Sequence, residues 1–343
     1  MFKERENVNA KKSIIVDAHS DIPYDVFLRR IDGERNILDN LHAPRLKKGG
    51  INLCVFAIYV EARYKPTRAL EIALRQTEAF LSDISESSEF MLIKNKSDFN
   101  KFMGQDKIGI ILAMEGAEPL ESGIELFHLF YRLGIRMLGF TWNQRNALAD
   151  GIYEIDSRGG LTRYGRQVLD EACKIGVILD VTHMAPAGVD DILELATGPV
   201  IASHCGAKSV YNHPRNLSDE HIEKIAKTGG VIGVPIFPKL LGPSVPSVET
   251  VVDHIEHIIK IAGEEHVGFG ADFVDFFSEL TAEGRIGNEW MTPPGEETQG
   301  LSTASEVPNL IDAMQKRGFS TNIINGVLSD NFLRVFENSL PDN

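Results

Sequence analysis

Eight short apolar runs punctuate this chain, at 13–18, 51–60, 108–114, 134–141, 176–182, 199–203, 230–237 and 266–271. Each is apolar nearly throughout instead of alternating apolar with polar. A strand with one face in water alternates, whereas a continuous Val/Ile/Leu run needs cover on both faces, as parallel strands between layers have. Helically spaced stretches lie between the runs. Residues 67–83 set Leu70, Ile72, Ala73, Thr77, Phe80 and Leu81 on one side; 162–175 carries Val168, Leu169, Ala172 and Cys173; 248–262 carries Val251, Val252, Ile255, Ile258 and Ile259. Ser218, followed by Asp219 and Glu220, reads as an N-cap with acids in the first turn. Eight strands alternating with helices predict a (β/α)8 TIM barrel over a doubly wound sheet. No Gly-x-Gly-x-x-Gly follows the first run, which argues further against a dinucleotide fold. Without an internal repeat or low-complexity linker, residues 1–343 read as one barrel domain. Its longest irregular stretches, near 142–161 and 273–302, follow the fourth and eighth runs, on the face where loops shape substrate pockets.

Charge and sulfur narrow the class. A net charge of -14 disfavours nucleic acid, whose phosphates call for clustered Lys and Arg. Met1–Lys12 is charged and lacks the apolar centre of a secretory signal, and no apolar run approaches the ~20 residues that span a bilayer. Cys54, Cys173 and Cys205 are odd in number and widely spaced, which suggests neither a disulfide framework nor a zinc knuckle. The expectation is a cytoplasmic protein with reduced thiols and no membrane partner.

The chemistry collects where the runs end. Ile14–Ala18 leads into His19-Ser20-Asp21, Ile110–Met114 into Glu115, Val177–Thr182 into His183, Val200–Ser203 into His204, and Val267–Ala271 into Asp272. In a barrel these C-terminal strand ends converge on one mouth. Three histidines and three carboxylates exceed what one tetrahedral zinc requires but suit two ions. His19 and Asp21 would hold one, His183 and His204 the other, and Glu115 could bridge. Imidazole and carboxylate donors suit zinc, and manganese, cobalt and iron share that preference. Such a pair polarises a carbonyl and yields hydroxide at neutral pH, and Asp272 could shuttle a proton to a leaving amine. Taken singly, each of these residues is more often structural. A lone histidine usually sits in a core or on a surface, Glu115 could be an ion-pair partner, and Asp272 could cap a loop. Six residues ending strands on one side carry the metal reading, because a carboxylate after an apolar strand is costly unless paired or metal-bound. His254 and His257, flanked by Asp253 and Glu256, read as a solvated helix face; His213 and His221 fall near the strand-six loop and its following helix, His42, His128 and His266 lack ligand-type companions, and Cys205 reads as a bystander thiol.

At these residues the chain resembles the renal (membrane) dipeptidase family of amidohydrolase-like barrels. The likeness runs through Asp17-Ala18-His19-Ser20-Asp21, Met114-Glu115-Gly116, Leu161–Gly165, Gly176–His183, Ser203-His204, Arg215-Asn216, Val267–Phe273 and Asp330–Val335. The resemblance implies two Zn2+ per chain on His19, Asp21, Glu115, His183 and His204. It also implies that Arg215 binds the substrate's terminal carboxylate, a task that suits a guanidinium fork. From the residues alone Arg215 reads as a loop salt bridge. The implied reaction is dipeptide hydrolysis by a metal-bridging hydroxide, extending to a C-terminal D-residue, and the implied partner is a second copy in a homodimer. One departure stands out. Trp142 replaces the histidine that ends the fourth strand in mammalian members, which leaves Asn143 or Asn146 to supply an oxyanion donor and Trp142 to shape a side-chain pocket. In addition, Val274 follows Phe273 where the family often has Asp. Two alternatives stay open: another amidohydrolase-type hydrolysis (N-acyl amino acid, lactone or phosphoester), and a non-catalytic metal-binding relative. No lysine ends a candidate strand to bridge metals as in many lactonases, and both His19 and Asp21 are retained.

Overall fold

The computed structural model describes residues 14–287 and 292–342. The charged Met1–Lys12 segment and the part of the second pocket loop at 288–291 therefore lie outside the described residues. The described residues hold nine strands: β1 (Ile15–Ser20), β2 (Ile51–Tyr59), β3 (Phe90–Leu92), β4 (Ile108–Glu115), β5 (Ile135–Gly139), β6 (Ile178–Asp180), β7 (Val200–Ile201), β8 (Ile232–Val234) and β9 (Val267–Phe269). All their pairings are parallel. Seven form one sheet in the order β1-β2-β4-β5-β6-β7 with β3 beside β4, and β8 pairs with β9. The seven-stranded sheet curls into a half-barrel, and the β8–β9 pair stands against its open side. Ala202 bridges in parallel to Ile232 at one junction. At the other, Ala271 N donates to Asp17 Oδ1 at 2.8 Å and Asp272 N to the His19 carbonyl at 3.4 Å.

Continuous apolar runs follow from burial on both faces. Val16, Ala18, Leu53, Val55, Ile111, Ala113, Met137, Ile178 and Ile201 join one apolar cluster, plugged by Phe332 and Phe336 of the C-terminal helix. Their neighbours Ile15, Cys54, Phe56, Ile110, Leu112, Met114, Leu138 and Leu179 join a second, larger cluster with the surrounding helices. The helices at Ala69–Glu86, Arg163–Ile175 and Val248–Ala262 stand where their spacing predicts, and Ser218 caps Asp219–Lys227 by accepting from His221 N.

The later strands are shorter than their apolar runs because side chains take over the ladder. Asp180 Oδ1 accepts from Thr182 N and Ser203 N, both at 3.0 Å, so the chain leaves the sheet while still apolar in sequence. β3 has too few residues to signal itself. It pairs with Ile108–Ile110, while β5 pairs with Leu112–Glu115 further along β4.

His254 corrects the expectation of a solvated face: it is fully buried. Its Nδ1 accepts from Ala207 N at 2.9 Å, so its Nε2 carries the proton and donates to the Leu241 carbonyl at 3.1 Å. Burial holds this imidazole below its ordinary value of 6.5, with the Leu241 bond opposing. Because the folded value is the depressed one, this contribution is full above the unfolded pKa and is lost as pH falls below it. The urea midpoint of wild type should therefore drop more between about pH 7.5 and 5.5 than that of His254→Gln, which has no titrating ring. Equal drops would contradict the assignment.

Among the described residues, no helix is long and apolar enough to cross a membrane.

Candidate metal centre

Irregular backbone at the strand ends aims the site residues. A register shift interrupts the β1–β2 pairing between Asp17 and Ser20, where His19 lies. His183 (φ 71°) and Asp272 (φ 58°) both adopt the left-handed conformation that non-glycine residues seldom take. Glu115 is followed by Gly116 at φ 84°, where a Cβ would come within 2.6 Å of Glu118 Oε2. Gly270 lets the β9 backbone approach Ser203; a Cβ there would lie 1.8 Å from the Ser203 carbonyl oxygen.

All six strand-end residues converge. His19 Nε2 lies 3.9 Å from Asp21 Oδ1, 3.7 Å from Glu115 Oε1 and 3.9 Å from Asp272 Oδ1. Glu115 Oε1 lies 2.9 Å from His183 Nε2 and 3.6 Å from His204 Nε2. Two overlapping triads, His19/Glu115/His204 and His19/Asp21/Asp272, bring their ligand atoms within 4.8 Å of one another. Five of the six are buried and Asp272 is half-buried.

The donor set fits a divalent cation. Ser203 Oγ donates to Asp180 Oδ2 at 2.6 Å, so it can only accept from His204 Nδ1 at 2.9 Å. His183 Nδ1 donates to Asn143 Oδ1 at 2.7 Å. Both rings thus turn an Nε2 lone pair into the site, the two atoms lie 3.0 Å apart, and that of His183 also accepts from Arg215 Nη2 at 3.1 Å. Facing lone pairs repel, and among the described hydrogen bonds the Arg215 guanidinium reaches only that of His183, so a cation within reach of both would relieve the pair. His19 Nε2 and Asp21 Oδ1 are buried without a hydrogen-bond partner among the described residues, a costly condition that a metal ligand relieves. Burial pushes Glu115 up to about 8 and Asp272 to about 6, with His19 opposing in both cases. For His19, burial is outweighed by Glu115, Asp21 and Asp272, which push it up to about 10. Burial, with Arg215 for His183 and His19 for His204, holds both of these rings well below 6.5. The cluster is a set of buried ligand atoms that the protein itself leaves incompletely satisfied, which a divalent cation would complete.

The Asp180–Ser203–His204 chain is a fixed orienter of the His204 ring. Ser203→Ala should free His204 to adopt the other tautomer and lower zinc affinity about 10- to 100-fold with the fold intact. Titration with a competing chelator reads this directly, and unchanged affinity would show that the ring needs no such support.

These residues open onto a cavity of about 270 Å³, lined also by Trp142, Asn143, Tyr153, His213, Arg215, Phe237, Lys239, Leu240 and Val274. Trp142 packs 5.7 Å from the His183 ring. Arg215 corrects the loop-salt-bridge expectation. Among the described residues it forms no ion pair with a carboxylate. Its guanidinium instead reaches His183 Nε2 at 3.1 Å, the His204 carbonyl at 3.5 Å and Cys205 Sγ at 3.6 Å. Cys205 is a buried free thiol. Tyr153, His213, Phe237 and Lys239 also line the cavity and carry no sequence signal, since each belongs to a loop or single turn without spacing. Asn146, the other amide considered for an oxyanion donor, donates to the Phe140 carbonyl and accepts from Leu148 N, a loop-holding role.

A family model described as "Membrane dipeptidase (Peptidase family M19)" matches residues 3–283. Dipeptidase 3 of Rattus norvegicus is 27% identical over 336 residues, covering 94% of this chain but only 64% of its own length. Dipeptidase verJ of Clonostachys rogersoniana is 28% identical over 344 residues, covering 94% and 83%. The solved structure of a dipeptidase of family M19 superposes with a TM-score of 0.81 at 24% identity, covering 96% of this chain and 99% of that one. A metallopeptidase from Rhodobacter sphaeroides, liganded with a phosphinate mimic of the dipeptide L-Ala-D-Ala, gives 0.81 at 23% identity with the same coverage. Those two structures share the fold. With a family model spanning most of the sequence, the chain belongs to the membrane dipeptidase family, peptidase family M19.

Proposed function

We propose that this protein is a metal-dependent dipeptidase that uses two ions, zinc by preference, and accepts dipeptides with a C-terminal D-residue. The observation that carries the reading is the buried His19 Nε2 and Asp21 Oδ1, without a hydrogen-bond partner among the described residues, beside Glu115 and the converging Nε2 lone pairs of His183 and His204. His19 and Asp21 would hold one ion, His183 and His204 the other, and Glu115 both. Bound there, the ions supply Lewis-acid polarisation of the scissile carbonyl and acidify water towards neutral pH.

The chain's own residues do the rest. The carboxylate-rich end of the cavity attracts a substrate's free ammonium. Arg215 offers a fork to its free carboxylate, so a zwitterionic dipeptide is oriented by its two termini. Asp272, half-buried at the cavity wall, holds or passes the proton that the leaving amine needs. Trp142, half-buried against the His183 ring, gives the cavity an apolar wall. Fixing the termini leaves the C-terminal stereocentre loosely constrained, in keeping with the L-Ala-D-Ala mimic bound by the Rhodobacter relative. The scaffold is read as a closed (β/α)8 barrel, supported by the Ala202–Ile232 bridge and the Asp17–Ala271 hydrogen bond at the two junctions.

The test is a panel of L,L- and L,D-dipeptides, N-acyl amino acids, lactones and phosphoesters, run before and after chelation and zinc re-addition. Dipeptide turnover that is lost on chelation and restored by zinc is expected. Full activity in metal-free protein, or turnover of another class in place of dipeptides, would overturn the reading.

A further inference from the structure

The turn after β8 presents a second cation to the cavity. Pro238–Leu241 forms one short helical turn in which Pro238, Leu240 and Leu241 are buried and Lys239 is exposed. The turn is braced from three directions. Asn216 Nδ2 donates to the Leu240 carbonyl at 2.8 Å, His254 Nε2 to the Leu241 carbonyl at 3.1 Å, and Thr298 Oγ1 to the Ile236 carbonyl at 2.6 Å. Asn216 adjoins Arg215, whose backbone N–H donates to His213 Nδ1 at 3.2 Å. Arg215, His213 and Lys239 therefore ride on segments fixed to one another, so the spacing of the two cations is a property of the fold.

The cavity wall is polarised. Asp21, Glu115 and Asp272 contribute its negative charge, and Arg215 and Lys239 its positive charge. A dipeptide has one terminal carboxylate, which Arg215 takes in the reading above. Lys239 is then left over, and among the described residues it forms no ion pair. It also lines a neighbouring open cleft of about 550 Å³, together with Tyr211, His213 and Pro238. Glu296 lines that outer cleft but not the site cavity. A substrate side chain leaving the site past Lys239 thus has room, and it meets a positive charge.

We propose that Lys239 is a specificity-determining residue that selects dipeptides whose C-terminal residue carries an acidic side chain. This inference rests on the dipeptidase reading and adds the substrate class. An ammonium at an exposed wall attracts a carboxylate modestly, so the expected preference is roughly five-fold and is screened by salt.

The experiment compares kcat/KM of the zinc-loaded protein on Ala-Glu, Ala-Gln and Ala-Lys, in both C-terminal configurations. Glutamine keeps the shape of glutamate and removes its charge. Wild type should favour Ala-Glu over Ala-Gln about five-fold at low salt, with the ratio shrinking as salt rises. Lys239→Met should bring the ratio close to one, and Lys239→Glu should favour Ala-Lys. Because Lys239 is exposed, both variants should fold, which circular dichroism checks. Equal turnover of Ala-Glu and Ala-Gln by wild type, or a preference that survives Lys239→Met, would overturn the inference while leaving the dipeptidase reading standing. Failure to cleave any dipeptide would overturn both.

Discussion

Glu115→Ala is expected to lower kcat/KM for dipeptides by roughly 10,000-fold and to leave at most about one zinc ion per chain. The expectation follows from reach. Glu115 Oε1 lies 2.9 Å from His183 Nε2, 3.6 Å from His204 Nε2 and 3.7 Å from His19 Nε2, so one carboxylate addresses both halves of the cluster. No neighbour can substitute, because Asp21 and Asp272 both lie on the His19 side. Removing a carboxylate that burial already raises to about 8 should not unfold the metal-free protein, since its charged form is disfavoured there. Metal content and activity should therefore collapse while the melting temperature without metal stays near wild type. Near-normal zinc content in this variant would refute the assignment of Glu115. Glu115→Gln, which keeps the volume and loses the charge, should behave like Glu115→Ala if charge is what matters.

The second large effect falls on Arg215. Arg215→Ala should reduce kcat/KM on dipeptides by about a hundred- to a thousand-fold, chiefly through KM, the scale of a lost charge-assisted bidentate contact. Its role has a distinguishing readout. Wild type should discriminate sharply between a dipeptide and its C-terminal amide, and Arg215→Ala should treat the two alike. Arg215→Lys should recover little, because a point charge cannot reproduce the planar fork. If KM and kcat for dipeptides are unchanged in Arg215→Ala, the carboxylate-binding role is wrong and the guanidinium serves only its contacts to His183 and the His204 carbonyl.

Much of the fold is legible in the sequence. The eight apolar runs correspond to β1, β2 and β4–β9, and β3 escaped because Phe90–Leu92 is only an edge segment on β4. The helix at Val248–Ala262 has the boundaries that its spacing gives. The sequence around His254 points to solvent because its acidic neighbours Asp253 and Glu256 mark a solvated face, whereas the ring itself turns inward to join Ala207 to Leu241. The supports of the site were equally hidden. Ser203 and Asn143 are ordinary residues until their hydrogen bonds fix the tautomers of His204 and His183.

From sequence alone came the parallel strands, their alternation with helices and the six strand-end ligand types, because one-dimensional periodicity records which faces are buried. Tertiary structure alone decided which atoms face each other. The lone pairs of His183 and His204, the left-handed backbone at His183 and Asp272, and the placing of Lys239 on the wall near Arg215 depend on contacts between segments far apart in the chain. Such contacts are set by how the sheet curls and how loops brace one another, and a local pattern holds no record of either.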